Sequence, residues 1–69
     1  MKKISVLIPT YNEEENVKPI SEAVIGMFKK DLPEYDYEIV FIDNCSHDAT
    51  RPILREMCKA NEKIKAILN

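Results

Sequence analysis

Two stretches decide the reading: Ile4-Ser5-Val6-Leu7-Ile8-Pro9-Thr10-Tyr11-Asn12-Glu13-Glu14 and Glu38-Ile39-Val40-Phe41-Ile42-Asp43-Asn44-Cys45-Ser46-His47-Asp48-Ala49-Thr50. Each begins as a short run rich in β-branched residues, the composition of a strand. Each run stops abruptly at a polar loop, and a helical pattern follows. The near-continuous apolar run Ile4 to Ile8 is what a strand covered on both faces requires. Pro9 is expected to end it, because proline donates no ladder hydrogen bond. The second strand is expected over Tyr37 to Ile42, and a third, shorter one over Ile64 to Leu68.

Between the strands the period changes from two to that of a helix. The first helix is expected from about Asn16 to Lys30. Asn16 is placed as its N-cap and Pro19 falls in the first turn, where proline is tolerated. Glu13, Glu14 and Glu15 lie near the positive end of its dipole. Val17, Ile20, Val24, Met27 and Phe28 recur on one face, with Gly26 a weak point among them. Asp31 to Asp36, with Pro33, is a polar connection. The second helix is expected from Asp48 or Ala49 to Ala60, with Asp48 as cap and Ile53, Leu54, Met57 and Cys58 as its buried stripe.

The fold expected is α/β: a three-stranded parallel sheet, β-α-β-α-β, in the order 3-2-1. Right-handed crossovers in that order put both helices on one face of the sheet. Yet the strand residues are apolar on both faces, and the first strand is an open edge. Residues 1–69 therefore read as a single partial domain, the first half of a larger one. Folded alone, the chain is expected to pair with a copy of itself, through the first-strand edge or the uncovered sheet face.

Bulk composition narrows the function. A chain of 69 residues buries only about 60% of its unfolded surface and needs a staple or a partner. Cys45 and Cys58 lack close spacing and no secretory leader precedes them, so reduced thiols are expected, and Cys58 reads as a small core residue. One histidine does not make a metal site with two such distant cysteines. The net charge of −2, with mixed signs, argues against a nucleic-acid footprint. No apolar run approaches the roughly 18 residues of a membrane span, and the basic Met1-Lys2-Lys3 start leads into a strand rather than a leader.

In open α/β sheets ligands sit where strand ends meet helix starts. Asp43 ends the second strand there, placed to accept hydrogen bonds from a ribose or base. Glycine-rich dinucleotide and phosphate-loop patterns are absent, since the one glycine, Gly26, is mid-helix. The first loop offers Thr10, Tyr11, Asn12 and Glu13 instead. Tyr11 reads either as a stacking surface for a base or as a loop anchor. Asn12 reads either as a contact or as a turn residue.

Together, ISVLIPTYNEEENV (residues 4–17) and EIVFIDNCSHDAT (residues 38–50) resemble the start of a family 2 glycosyltransferase with the GT-A fold. The dolichol-phosphate mannosyltransferase-like and bactoprenol glucosyltransferase-like enzymes are the most similar subgroup. The resemblance runs through the whole chain but covers only the N-terminal segment of such a domain. It implies a Rossmann-like nucleotide-binding half in which Pro9, Thr10, Tyr11, Glu13 and Asp43 cradle the base and ribose of a UDP- or GDP-hexose. It implies a parent enzyme that transfers the hexose to a polyprenyl phosphate or a glycan, acting on the cytoplasmic side. The family's second loop reads Asp-Asp-Gly-Ser-x-Asp-Gly-Thr; here Asn44 replaces the second acid, and Cys45 and Ala49 replace the glycines. The Asp-x-Asp metal motif and the catalytic base do not map onto these residues. Magnesium or manganese is accordingly expected only in the complete enzyme, and this chain alone is expected not to catalyse. Two rivals stand beside this reading. One is a stand-alone α/β interaction or assembly module. The other is a flavodoxin-like nucleotide- or phosphate-responsive domain, which would lack its usual glycine-rich anion nest.

Overall fold

A computed structural model describes residues 2–69; Met1, the first residue of the basic start, lies outside the described residues. The elements run β1 (Lys3–Thr10), α1 (Val17–Asp31), β2 (Asp36–Asp43), α2 (Thr50–Ala60) and β3 (Ile64–Leu68). The three strands form one sheet in the order β1-β2-β3, and both pairings are parallel. The expected α/β fold and strand order are therefore present.

Pro9 does not end β1. The strand continues through it to Thr10, which pairs with Asp43. Backbone direction explains this. The carbonyls of Lys2 and Thr10 accept from the N–H groups of Asp36 and Asn44 on the β2 side. Successive residues of a strand direct their backbone groups to opposite sides, so Pro9 directs its own to the open edge. A missing N–H is harmless there.

One cluster joins the sheet to both helices: Val17 from α1, Ile39 and Phe41 from β2, Leu54 and Met57 from α2, and Ile64 from β3. Both helices thus cover the same face of the sheet, as right-handed crossovers require. Ile20, Val24 and Ile25 of α1 pack against this core. Met27, expected on the buried face, is 39% exposed, and Ile25 packs in its stead. The ring of Phe28 stacks on Tyr37 with centroids 4.6 Å apart, which pins the end of α1 to the start of β2.

On the other face Leu7 and Ile67 are 62% and 52% exposed, with Val40 and Ile42 half-buried between them. Among the described residues no element covers this face. The described residues include no helix long and apolar enough to cross a membrane.

Both cap assignments change in detail. Asn16 occupies the N-cap of α1 without a side-chain cap bond; its amide donates instead to Glu13 Oε2 at 2.8 Å. Ala49, not Asp48, occupies the N-cap of α2. Asp48 nevertheless serves the helix start, because its Oδ1 accepts from the Thr50 N–H at 2.9 Å. The carboxylate reaches the first orphan donor from one position further back.

Candidate functional site

Thr10 and Asp43 end neighbouring parallel strands, so the loops that follow, residues 11–16 and 44–49, emerge side by side at the carboxyl edge of the sheet. They are laced together. Thr10 Oγ1 donates to Asp43 Oδ1 at 3.0 Å. The Asn12 N–H donates to Ser46 Oγ at 2.9 Å, and the His47 N–H donates to Asn12 Oδ1 at 2.8 Å. The Glu13 N–H donates to Thr50 Oγ1 at 2.8 Å, and the Glu14 N–H reaches Asp48 Oδ2 at 3.3 Å. Asn12 and Cys45 have φ of 51° and 54°, the left-handed region that non-glycine residues seldom enter.

Asp43 is the centre of this lacing. It has no exposed surface. Besides Thr10, the Ser46 N–H donates to its Oδ2 at 3.1 Å and the Ser46 hydroxyl donates to Oδ1. The Arg51 guanidinium lies 3.9 Å from Oδ2. Burial by itself pushes the Asp43 pKa up, but the Ser46 and Thr10 hydrogen bonds and the Arg51 charge outweigh it and hold the carboxyl below its ordinary value. Asp48 is likewise held low: partial burial opposes ionisation, and hydrogen bonds from Thr50 and the Glu14 N–H overcome it.

The five residues singled out from the sequence fall into two layers. Thr10 and Asp43 are buried and bonded to each other. Pro9 is exposed, and the Tyr11 ring is 55% exposed at the mouth. Glu13 is half-buried, with its N–H engaged by Thr50. The structure also gives roles to residues that carried none in the sequence. Ser46 and Thr50 each accept a hydrogen bond from a first-loop N–H and donate their own hydroxyl to an aspartate, Asp43 and Asp48 respectively. Arg51 joins Asp43 to the Asn69 carbonyl, to which its Nη1 donates at 2.7 Å. The polar second loop hinted at Ser46 and Thr50; nothing in the sequence marked Arg51.

A depression of about 240 Å³ lies at the opposite end of the sheet and is lined by Lys3, Asp36, Tyr37, Glu38, Glu62, Lys63 and Lys65. Several of these charges are already paired: Lys63 with Asp36 and Lys3 with Glu38. Lys63 also sits 4.7 Å over the Tyr37 ring. The chemistry of the chain is better sought at the laced loops.

In open parallel sheets ligands bind outside the carboxyl ends of the strands, and here the first two strands end there in neighbouring polar loops. Comparison with known proteins gives the family. The profile of glycosyl transferase family 2 matches residues 5–69, and the chain belongs to that family. It is 41% identical over 56 residues to the poly(ribitol-phosphate) beta-N-acetylglucosaminyltransferase TarS of Staphylococcus aureus, covering 81% of this chain and 9% of that protein. It is 34% identical over 65 residues to the glycosyltransferase AglE of Haloferax volcanii, covering 94% and 20%. A dolichyl N-acetyl-alpha-D-glucosaminyl phosphate 3-beta-D-2,3-diacetamido-2,3-dideoxy-beta-D-glucuronosyltransferase of Methanococcus voltae is 38% identical over 71 residues, covering 100% and 21%. The chain thus spans between about a tenth and a fifth of the length of these relatives.

Among the described residues no three of His, Cys, Asp and Glu are arranged to hold a metal ion.

Proposed function

We propose that this chain is the donor-nucleotide half-site of a family 2 glycosyltransferase, binding the base and ribose of a UDP- or GDP-hexose between its two loops. The observation that carries this is Tyr11, a residue 55% exposed just past the carboxyl end of β1, between Thr10, bonded to Asp43 at the end of β2, and Asn12, bonded to Ser46 of the second loop. An aromatic face presented in that way suits a stacked base. Pro9 and Glu13 stand two positions before and after Tyr11 in the chain, and Thr10 with Asp43 makes the buried floor. A ligand donor reaches Asp43 only by displacing Thr10 or Ser46, so Asp43 acts first by holding the floor together.

The parent enzyme transfers the hexose to a polyprenyl phosphate or a glycan at the cytoplasmic side of a membrane. The names of the dolichyl-phosphate and poly(ribitol-phosphate) relatives support that acceptor class. In this reading the divalent ion, magnesium or manganese, and the catalytic base enter with residues beyond these 69, and the isolated chain binds without turning over. Turnover by the purified chain would refute the last point.

The experiment is a titration with UDP and with GDP, each with and without manganese, following the amide resonances of Tyr11, Glu13 and Asp43. Shifts confined to the two loops support the half-site, and the better nucleotide identifies the base. A folded sample with no shift at millimolar nucleotide rejects it.

One observation favours a second reading, an assembly module: the sheet face carrying Leu7 and Ile67 is uncovered. In this reading the isolated chain forms a homodimer through that face or the β1 edge.

A further inference from the structure

Asn12 has a role that neither the family nor the donor-site reading assigns. We propose that Asn12 is a positioning residue: a single-residue clasp that holds Tyr11 at the mouth by gripping two consecutive residues of the second loop. The proposal rests on the nucleotide reading above for its consequence on binding. Its geometry stands on its own.

At φ 51° the chain turns sharply at Asn12, and both its backbone and its side chain meet the second loop. Its N–H donates to Ser46 Oγ, and its Oδ1 accepts from the next residue's N–H, that of His47. Ser46 passes the link inward to Asp43, the same carboxylate that accepts from Thr10. The residues on both sides of Tyr11 are therefore tied to one buried group, Thr10 directly and Asn12 through Ser46. Tyr11 between them stays 55% exposed, its backbone bounded on both sides by tied residues. Prior ordering of a loop spares that entropy when a ligand binds.

The residue type follows from two demands. The position needs a residue that enters the left-handed region at small cost, which favours glycine, asparagine and aspartate. It also needs a short side-chain acceptor to reach the His47 N–H. Glycine meets only the first demand; asparagine and aspartate meet both. This separates the clasp from the backbone conformation.

The test compares Asn12→Gly, Asn12→Asp and Cys45→Gly in the intact chain. The last places glycine at the other left-handed position without touching the clasp. Backbone order parameters at Tyr11 and His47 and the dissociation constant for UDP or GDP are read together. In Asn12→Gly the order parameters fall from about 0.85 toward 0.6, and the dissociation constant rises roughly fivefold, the cost of ordering one loosened side chain on binding. Asn12→Asp restores both, and Cys45→Gly changes neither. Loops that stay rigid in Asn12→Gly overturn the clasp. Loosened loops that bind nucleotide as tightly as before overturn its positioning role. If the unsubstituted chain, with rigid loops, binds neither nucleotide, the donor-site reading fails and takes the positioning role with it.

Discussion

A carboxylate without exposed surface must be met by donors or give up its charge. Asp43 is met by the Thr10 hydroxyl and by both donors of Ser46, with Arg51 behind them. Replacing it with asparagine removes one acceptor oxygen and sets an NH2 against those donors. Asp43→Asn is expected to lose roughly 2 kcal/mol, read by urea denaturation at neutral pH. The sign of the pH dependence follows from the depressed pKa. The stabilisation by ionised Asp43 is fully present above its ordinary value of 3.8 and is lost as the pH falls through the lower folded value. The gap between the two proteins should therefore narrow as the pH falls below 3.8; a constant gap would deny the charged role. Cys45 presents the opposite case, a left-handed residue with no special tolerance for it. Cys45→Gly is expected to gain about 0.5–1 kcal/mol, relief of that conformation outweighing the extra freedom of the unfolded chain; a loss in thermal melting would count against it. That Asp43 stands at the strand end was legible from where the apolar run stops. Its burial was not, because the donors that satisfy it come from Thr10, across the sheet, and from a loop whose path the sequence does not specify.

At the scale of elements, the helices test how far pattern alone reaches. Leu54 was assigned to the buried stripe and is fully buried between α2 and the sheet. Leu54→Ala should cost about 2–5 kcal/mol, a large part of the stability of so small a domain, and should appear as a marked drop in the urea midpoint. Gly26 is exposed within α1, and a Cβ added there meets nothing within 4 Å. Gly26→Ala should add about 0.5–1 kcal/mol through helix propensity alone; an unchanged or lower melting temperature would mean that a constraint outside these contacts governs the site. The helical period placed Val17 and Phe28 correctly on the core side. It misplaced Met27, because it fixes the spacing of a stripe but not its centre, and here Ile25 packs against the core while Met27 is 39% exposed. Pro9 was misread for a similar reason. A proline ends a strand only where its N–H side faces a neighbour, and at an edge that depends on register.

At the scale of the whole molecule, the folded chain exposes 4575 Å², about 40% of what an unfolded chain of this length exposes. A domain at this limit gains from any further burial. Leu7 and Ile67, with Val40 and Ile42 between them, offer it on the uncovered face. If self-association uses that face, a Leu7→Lys, Ile67→Lys double variant should sediment as a monomer under conditions where the unsubstituted chain is a dimer. A monomeric unsubstituted chain would reject the assembly reading, and a dimer that survives the change would move the contact to the β1 edge. The sequence by itself determined the element order, the parallel sheet and the emergence of both polar loops at its carboxyl edge, since these follow from local periodicity and the handedness of crossovers. Only the tertiary structure decided that Asp43 is buried, that Ser46, Thr50 and Asn12 lace the two loops, and that Arg51 closes the site from behind. Those contacts join residues more than thirty positions apart in most cases, and their geometry is set by how strands and helices pack, which no local pattern records.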